Sequence, residues 1–195
     1  MPETLSSRSH PLETMLAVSD VIKNRRYAAV YARILELGTA TVEEIATGLD
    51  SSTTTVYEDV NHLAEAGIIE RVTETQPHRY HARSVEMTVL EAEETYQVSP
   101  TLLVALARAE SSDDLGLYLD RNGTAGLATA VEYARDYVRG RTNARVMARE
   151  EEIPVLEAET VLQALREIVL EVEPEVETEL DIDELDAAVD ESQSE

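Results

Sequence analysis

Six residues between positions 52 and 61 carry short hydrogen-bonding side chains at helical spacing: Ser52, Thr53, Thr54, Thr55, Glu58 and Asn61. Hydroxyls, one carboxylate and one amide in that order do not make a catalytic set. Ser51 and Ser52 have no histidine near them in sequence and read as helix caps. Such groups are suited to exchanging hydrogen bonds with base edges. Asn pairs with adenine, Glu accepts from the cytosine amino group, and Ser or Thr serves either. At about 100° per residue, Val56, Val60, Leu63 and Ala64 fall on one face of a helix. Thr54, Thr55, Glu58, Asn61 and His62 fall on the other.

Other chemistry is not visible in the residue pattern. His78 and His81 would point to opposite faces of a strand, and with His10 and His62 they form no recognisable metal set. There is no cysteine, and seven glycines form no phosphate-cradling loop. Carboxylates are so abundant that any pair arises by chance. The sequence therefore calls for no catalytic residue, no metal and no cofactor, and the chain reads as a non-enzyme.

The hydrogen-bonding stretch needs elements to hold it. Pro11 to Ile22 suggests a short helix, and Asn24 to Gly38 a clearer one, striped by Tyr27, Val30, Tyr31, Ile34 and Leu35 and stopped by Gly38. Thr41 and Glu44 spell a capping box at the start of Thr41 to Asp50, whose Ile45, Ala46 and Leu49 face inward. Asp50-Ser51-Ser52 is a turn, so helix, turn and the opening helix make a helix-turn-helix. After Gly67, Ile68 to Ala82 reads as strand, turn at Thr75-Gln76-Pro77, and returning strand: a wing.

The segment from Asn24 to about Arg83 resembles the winged helix-turn-helix transcriptional regulators of archaea grouped with ArsR- and TrmB-like DNA-binding domains. TVEEIATGLDSSTTTVYEDVNHLAEAGIIER and the wing motif QPHRY carry the resemblance. It implies a helix from Ser52 lying in the major groove, with Ser52, Thr53, Thr54, Thr55, Glu58 and Asn61 on base edges. It further implies that Arg25, Arg26, Tyr57, His62, Gln76, His78 and Arg79 contact the DNA backbone, with the wing on phosphate or in the minor groove. Glu58 and Asp59 depart from the basic residues common in recognition helices. Glu58 fits a cytosine reader, and Asp59 is expected to point aside.

Beyond the wing, Met87 to Gln97 is acidic and ambiguous between strand and helix. Ser99 and Pro100 open a helix with Leu102, Leu103, Leu106 and Ala109 inward. A short helix follows over Asp114 to Asp120, then a turn at Asn122-Gly123, then an amphipathic helix to Arg141. Arg121 to Arg149 holds six Arg and two acids. Arg135, Arg139, Arg141, Arg145 and Arg149 are thus a candidate second basic surface, or an ion-pairing surface between subunits, which the abundant acid favours. Met147 and Ala148, followed by Ala158, Leu162 and Leu165, repeat the first motif's pattern at an offset of 102, as a degenerate second helix-turn-helix for packing or dimer contact.

The fold class expected is mainly α, a winged helix-turn-helix with a small β-wing and an all-helical C-terminal region. The divisions are 1–10 a flexible arm, 11–84 the winged helix, 85–98 a connector, 99–172 the helical region and 173–195 an acidic tail. Net charge is −24, from 40 acids against 16 bases, of which Lys23 is the one lysine. Residues 20–83 hold 10 acids and 7 bases, so the excess lies mostly outside the candidate reader. The acid reads either as a disordered partner tail or, favoured by the near-absence of Lys and by acid spread over helices with apolar faces, as the surface of a protein from a salt-saturated cytoplasm, where the Debye length is roughly 3 Å at molar salt. Taken with the resemblance, the acid-rich chain looks like a haloarchaeal member. Without an apolar run near the roughly 20 residues of a membrane span, the chain reads as soluble and cytoplasmic. The expected partner is double-stranded DNA, bound as a homodimer. The alternative is a winged-helix module docking on another regulator or on the transcription machinery.

Overall fold

Asn24 separates the first two helices, because its side chain accepts from the backbone of Arg26 and caps the second. Helix α1 (Pro11–Lys23) and helix α2 (Arg25–Leu37) therefore follow one another with one residue between them. The computed structural model describes residues 11–91 and 94–176. The expected arm over 1–10 and the tail beyond 176 lie outside the described residues. The rest divides into two compact units, up to Met87 and from Thr88.

In the first unit, α2 buries Ala28, Val30, Tyr31 and Ile34 and ends at Gly38, whose φ of +68° suits a residue without Cβ. Thr41 and Glu44 close the capping box, and α3 (Val42–Gly48) buries Ile45 and Ala46. A Cβ at Gly48 would stand 2.3 Å from Arg33 Nε, so the Arg33 guanidinium would have to swing aside to admit one. The turn passes through Asp50 at φ +48°, with the Ser51 amide donating to Ala46 O. Helix α4 (Thr53–Glu65) then lays Val56, Val60 and Leu63 on that core.

The wing is short. Strands β1 (Ile69–Arg71) and β2 (Tyr80–Ala82) pair antiparallel, Glu70 opposite His81. Ala40 bridges to the far side of β2, exchanging both backbone hydrogen bonds with Tyr80. The Tyr31 hydroxyl donates to Arg83 O, fastening the chain after β2 to α2.

The second unit corrects one expectation at its start. The 85–98 segment, expected to be a connector and ambiguous between strand and helix, is strand: β3 (Met87–Glu91) and β4 (Glu94–Val98) pair in their own two-stranded sheet. Helix α5 (Pro100–Arg108) follows, capped by Ser99. It is buried from Thr101 through Leu106, as a helix apolar all round must be. Helix α6 (Asp113–Val138) is broken by a kink at the expected turn, where Gly123 at φ +68° and ψ −176° leaves helical geometry. Helices α7 (Ala144–Glu150) and α8 (Val155–Val172) complete the unit, with α8 packed along α6 and α7. The tail also begins later than expected. Val176 is buried, and Glu173 is held by Arg135, so 173–176 belong to the packed structure. Mainly helical structure around a small wing is the fold class that the residue pattern implied.

Candidate nucleic-acid interface

Helix α4 is presented by its cap. Ser52 Oγ accepts from the Thr55 amide at 3.1 Å and lies 2.9 Å from Thr55 Oγ1. Those two hydroxyls hold the first turn in shape, while Thr53, Thr54 and Glu58 are exposed. Thr53, Thr54 and Tyr57 open onto a concavity whose opposite wall is the wing, at Gln76, Pro77 and His78. The fold thus brings together five of the residues expected to meet DNA, from two segments about 20 positions apart. Tyr57 stands 56% exposed there. Asn61 opens onto a second concavity with Ile69, Arg71 and Arg83, and Tyr80 lines both.

The wing loop is fixed internally. The Arg79 amide donates to Thr73 Oγ1 at 2.7 Å, and the His78 ring lies 3.3 Å from Thr73 O.

Several charged residues sit differently from expectation. Arg26 is not a loose phosphate contact: its Nε and Nη2 each meet one Asp59 oxygen at 2.8 Å. The hydrogen bond to Asp59, then the charge attraction, raises the Arg26 pKa above its ordinary value. Asp59 is 2% exposed, so the acid that looked out of place in a recognition helix is turned inward and neutralised. Arg79 folds back instead of reaching outward, donating to Thr39 O at 2.6 Å and pairing with Glu44 at 3.2 Å. The Glu44 carboxyl is held below its ordinary pKa, first by the Thr41 backbone hydrogen bond and further by Arg79. His62 stacks on Tyr27, ring centroids 4.8 Å apart, and lies 3.9 Å from Asp20. Arg25 is exposed at the start of α2. Arg71, exposed beside Asn61, did not stand out in the sequence; its only signal there is a lone base on the first wing strand.

The Arg-rich stretch of the second unit is not one surface. Arg135 is buried, its side chain 10% exposed, and it ties Glu173, Glu132 and Ser99 together. Burial works against its charge, and the bonds to Glu173 and Glu132 more than offset this and raise its pKa. Arg149 pairs with its neighbour Glu150 at 3.0 Å. Arg141 and Arg145 are exposed, and Arg139 is half-buried.

Residues 26–86 match a family model described as sugar-specific transcriptional regulator TrmB. Residues 109–174 match a second model, described as a family of unknown function (DUF7437). No curated protein and no solved structure matches the chain. Among the described residues no helix is long and apolar enough to cross a membrane.

Proposed function

We propose that this protein is a sequence-specific regulator of transcription that binds double-stranded DNA as a homodimer, in the cytoplasm of a salt-rich cell. The observation that carries the reading is the concavity between α4 and the wing. Exposed Thr53, Thr54 and Tyr57 stand on one wall and Gln76 and His78 on the other. The match of 26–86 to a transcriptional-regulator family supports it.

In this reading α4 enters the major groove with Thr53, Thr54 and Glu58 toward base edges and Asn61 on an adenine. Tyr57, His78, Arg25 and Arg71 position the phosphate backbone. Ser52 and Thr55 act one step back, by shaping the turn that presents Thr53 and Thr54. Two copies are needed because one helix reads only a few base pairs, and two half-sites about one helical turn apart give usable specificity. The acid excess is tolerable at such a surface because Asp59 is internally paired and concentrated salt screens the rest.

The test is selection of bound genomic fragments by the full chain in concentrated salt, followed by affinity measurement on the enriched site. Thr54→Ala and Asn61→Ala should each weaken that site by about 1–3 kcal/mol and relax preference at one base position. Failure to enrich any motif, or unchanged affinity in both variants, would overturn the reading.

A further inference from the structure

The second unit repeats the turn geometry of the first in register. Thr41 caps α3, and Asn143, 102 positions on, caps α7. Helices α3 and α7 have seven residues each and bury Ile45-Ala46 and Met147-Ala148. Ser51 donates its amide to Ala46 O at 3.0 Å, and Ile153 donates to Ala148 O at 3.1 Å. The positive-φ residues of the two turns are Asp50 at +48° and Glu152 at +54°, and the glycines ending the preceding helices are Gly38 and Gly140. Helices α4 and α8 begin at Thr53 and Val155. All these pairs keep the same offset, so the second motif is a helix-turn-helix in backbone and not only in residue pattern.

The residues it presents have changed in kind. Where α4 starts with Thr53-Thr54-Thr55, α8 starts with Val155-Leu156-Glu157. Leu156 is 73% exposed and Leu117 on α6 is 51% exposed, an unfavourable display of aliphatic surface for a chain this acidic. The two line one apolar groove, floored by Tyr118, Pro154 and Val161. Glu157 closes one side, anchored by Arg121 at 3.3 Å and Asn122 at 3.2 Å. The groove continues along α8 past Thr160, Gln163 and Ala164, and there its borders are Asp114, Glu159 and Glu167. Arg166, the one base on α8, falls on the Glu159 side of the helix but does not line the groove.

We propose that this face of α8 docks a basic amphipathic helical segment of another protein, with an aliphatic or aromatic anchor between Leu117 and Leu156. Charge selects the occupant. A nucleic acid would meet the carboxylates of Asp114, Glu159 and Glu167 with one lining base, Arg121, already paired to Glu157, and a second copy laid face to face would set the same three carboxylates against them at contact distance. A cationic segment answers both the apolar floor and the acidic border. From Leu156 to Glu167 the stripe spans about three helical turns, which sets the length of the partner segment. The proposal stands whether or not α4 reads DNA.

The test uses the full chain and a labelled synthetic 14-residue helical peptide of Leu and Arg, one face each, read by fluorescence anisotropy. Leu156→Asp makes the protein more acidic while removing the anchor site. Attraction by charge alone would strengthen with this variant, whereas groove docking should weaken about tenfold. Leu117→Asp should do the same and serves if the first variant shifts the thermal unfolding profile. Equal or tighter binding by both variants overturns the proposal, as does equal binding of a peptide with Gln in place of Arg. Sedimentation showing a dimer for the unmodified chain and a monomer for Leu156→Asp would also overturn it, by seating a second copy on the face.

Discussion

Replacing Arg26 by Met isolates the role of the pair that fastens α4. It leaves Asp59, 2% exposed, with neither a charge partner nor water. Breaking a fully buried pair from one side costs about 3–5 kcal/mol. Here the Arg26 side chain is 53% exposed, so solvent screens much of the attraction, and the expected loss falls to about 2 kcal/mol. For a unit of this size that lowers the midpoint of thermal unfolding by about 8–16 °C. The reverse change, Asp59→Leu, removes the buried charge and returns an exposed guanidinium to water. Its cost should stay below about 1 kcal/mol. Together the two replacements put apolar groups on both sides and should bring stability back to near that of the unmodified chain. Urea unfolding of all four proteins closes the double-mutant cycle. The reasoning fails if Arg26→Met is neutral, or if Asp59→Leu costs more than Arg26→Met. Affinity for the selected DNA site should follow the same order, because the pair fixes the middle of α4 against α2.

Arg135→Met in the second unit should cost about 3 kcal/mol, because it leaves Glu173 and Glu132 facing each other across a half-buried site; a calorimetric scan of that transition checks it. The two acids there should respond oppositely to pH. Burial works to raise the Glu173 pKa, but the hydrogen bonds from Arg135 and Thr101 more than reverse it and hold it below its ordinary 4.5. A lowered carboxyl contributes stability above its unfolded pKa and loses it as pH falls toward the folded one. Glu173→Gln should therefore destabilise at neutral pH, with the deficit shrinking below about pH 4.5. Glu132 is raised, by burial first and by Glu173 as well, with Arg135 opposing. Its contribution is favourable at low pH and lost as pH rises through the folded value, so Glu132→Gln should be neutral or stabilising at pH 7. Unfolding midpoints of both variants from pH 3 to 7 would refute the assignment if the signs were exchanged.

The local signals in the chain carried the first unit well. Thr41 with Glu44, Ser52 as cap, and Gly38 as stop each act within four residues, and each sits in the structure as its spacing implies. What sequence could not show was where the charges go. Arg26 and Asp59 are 33 positions apart, and Arg79 meets Thr39 and Glu44 across 40 and 35. Only the packing of α2, α4 and β2 brings these groups together, and no periodicity encodes it. For the same reason Arg135 looked like part of a basic surface, since its chief partner, Glu173, lies 38 positions on in what read as a tail. The pairing of β3 with β4 was not settled by sequence because Met87 to Gln97 mixes strand-forming residues with acids that break the alternation.

The inward turn of Arg26 and Arg79 also sets how binding would respond to ionic strength. Each phosphate neutralised by a side chain releases a counterion, and the logarithm of affinity falls by about 0.9 per such contact for each decade of salt. With two guanidiniums engaged within the protein, the α4 face offers few cations to phosphate. Its grip on DNA would then come mostly from hydrogen bonds and shape, with a shallow salt slope. The internal pairing that makes this face look poorly suited to DNA in dilute buffer is what would let it keep hold where a strongly basic reader lets go.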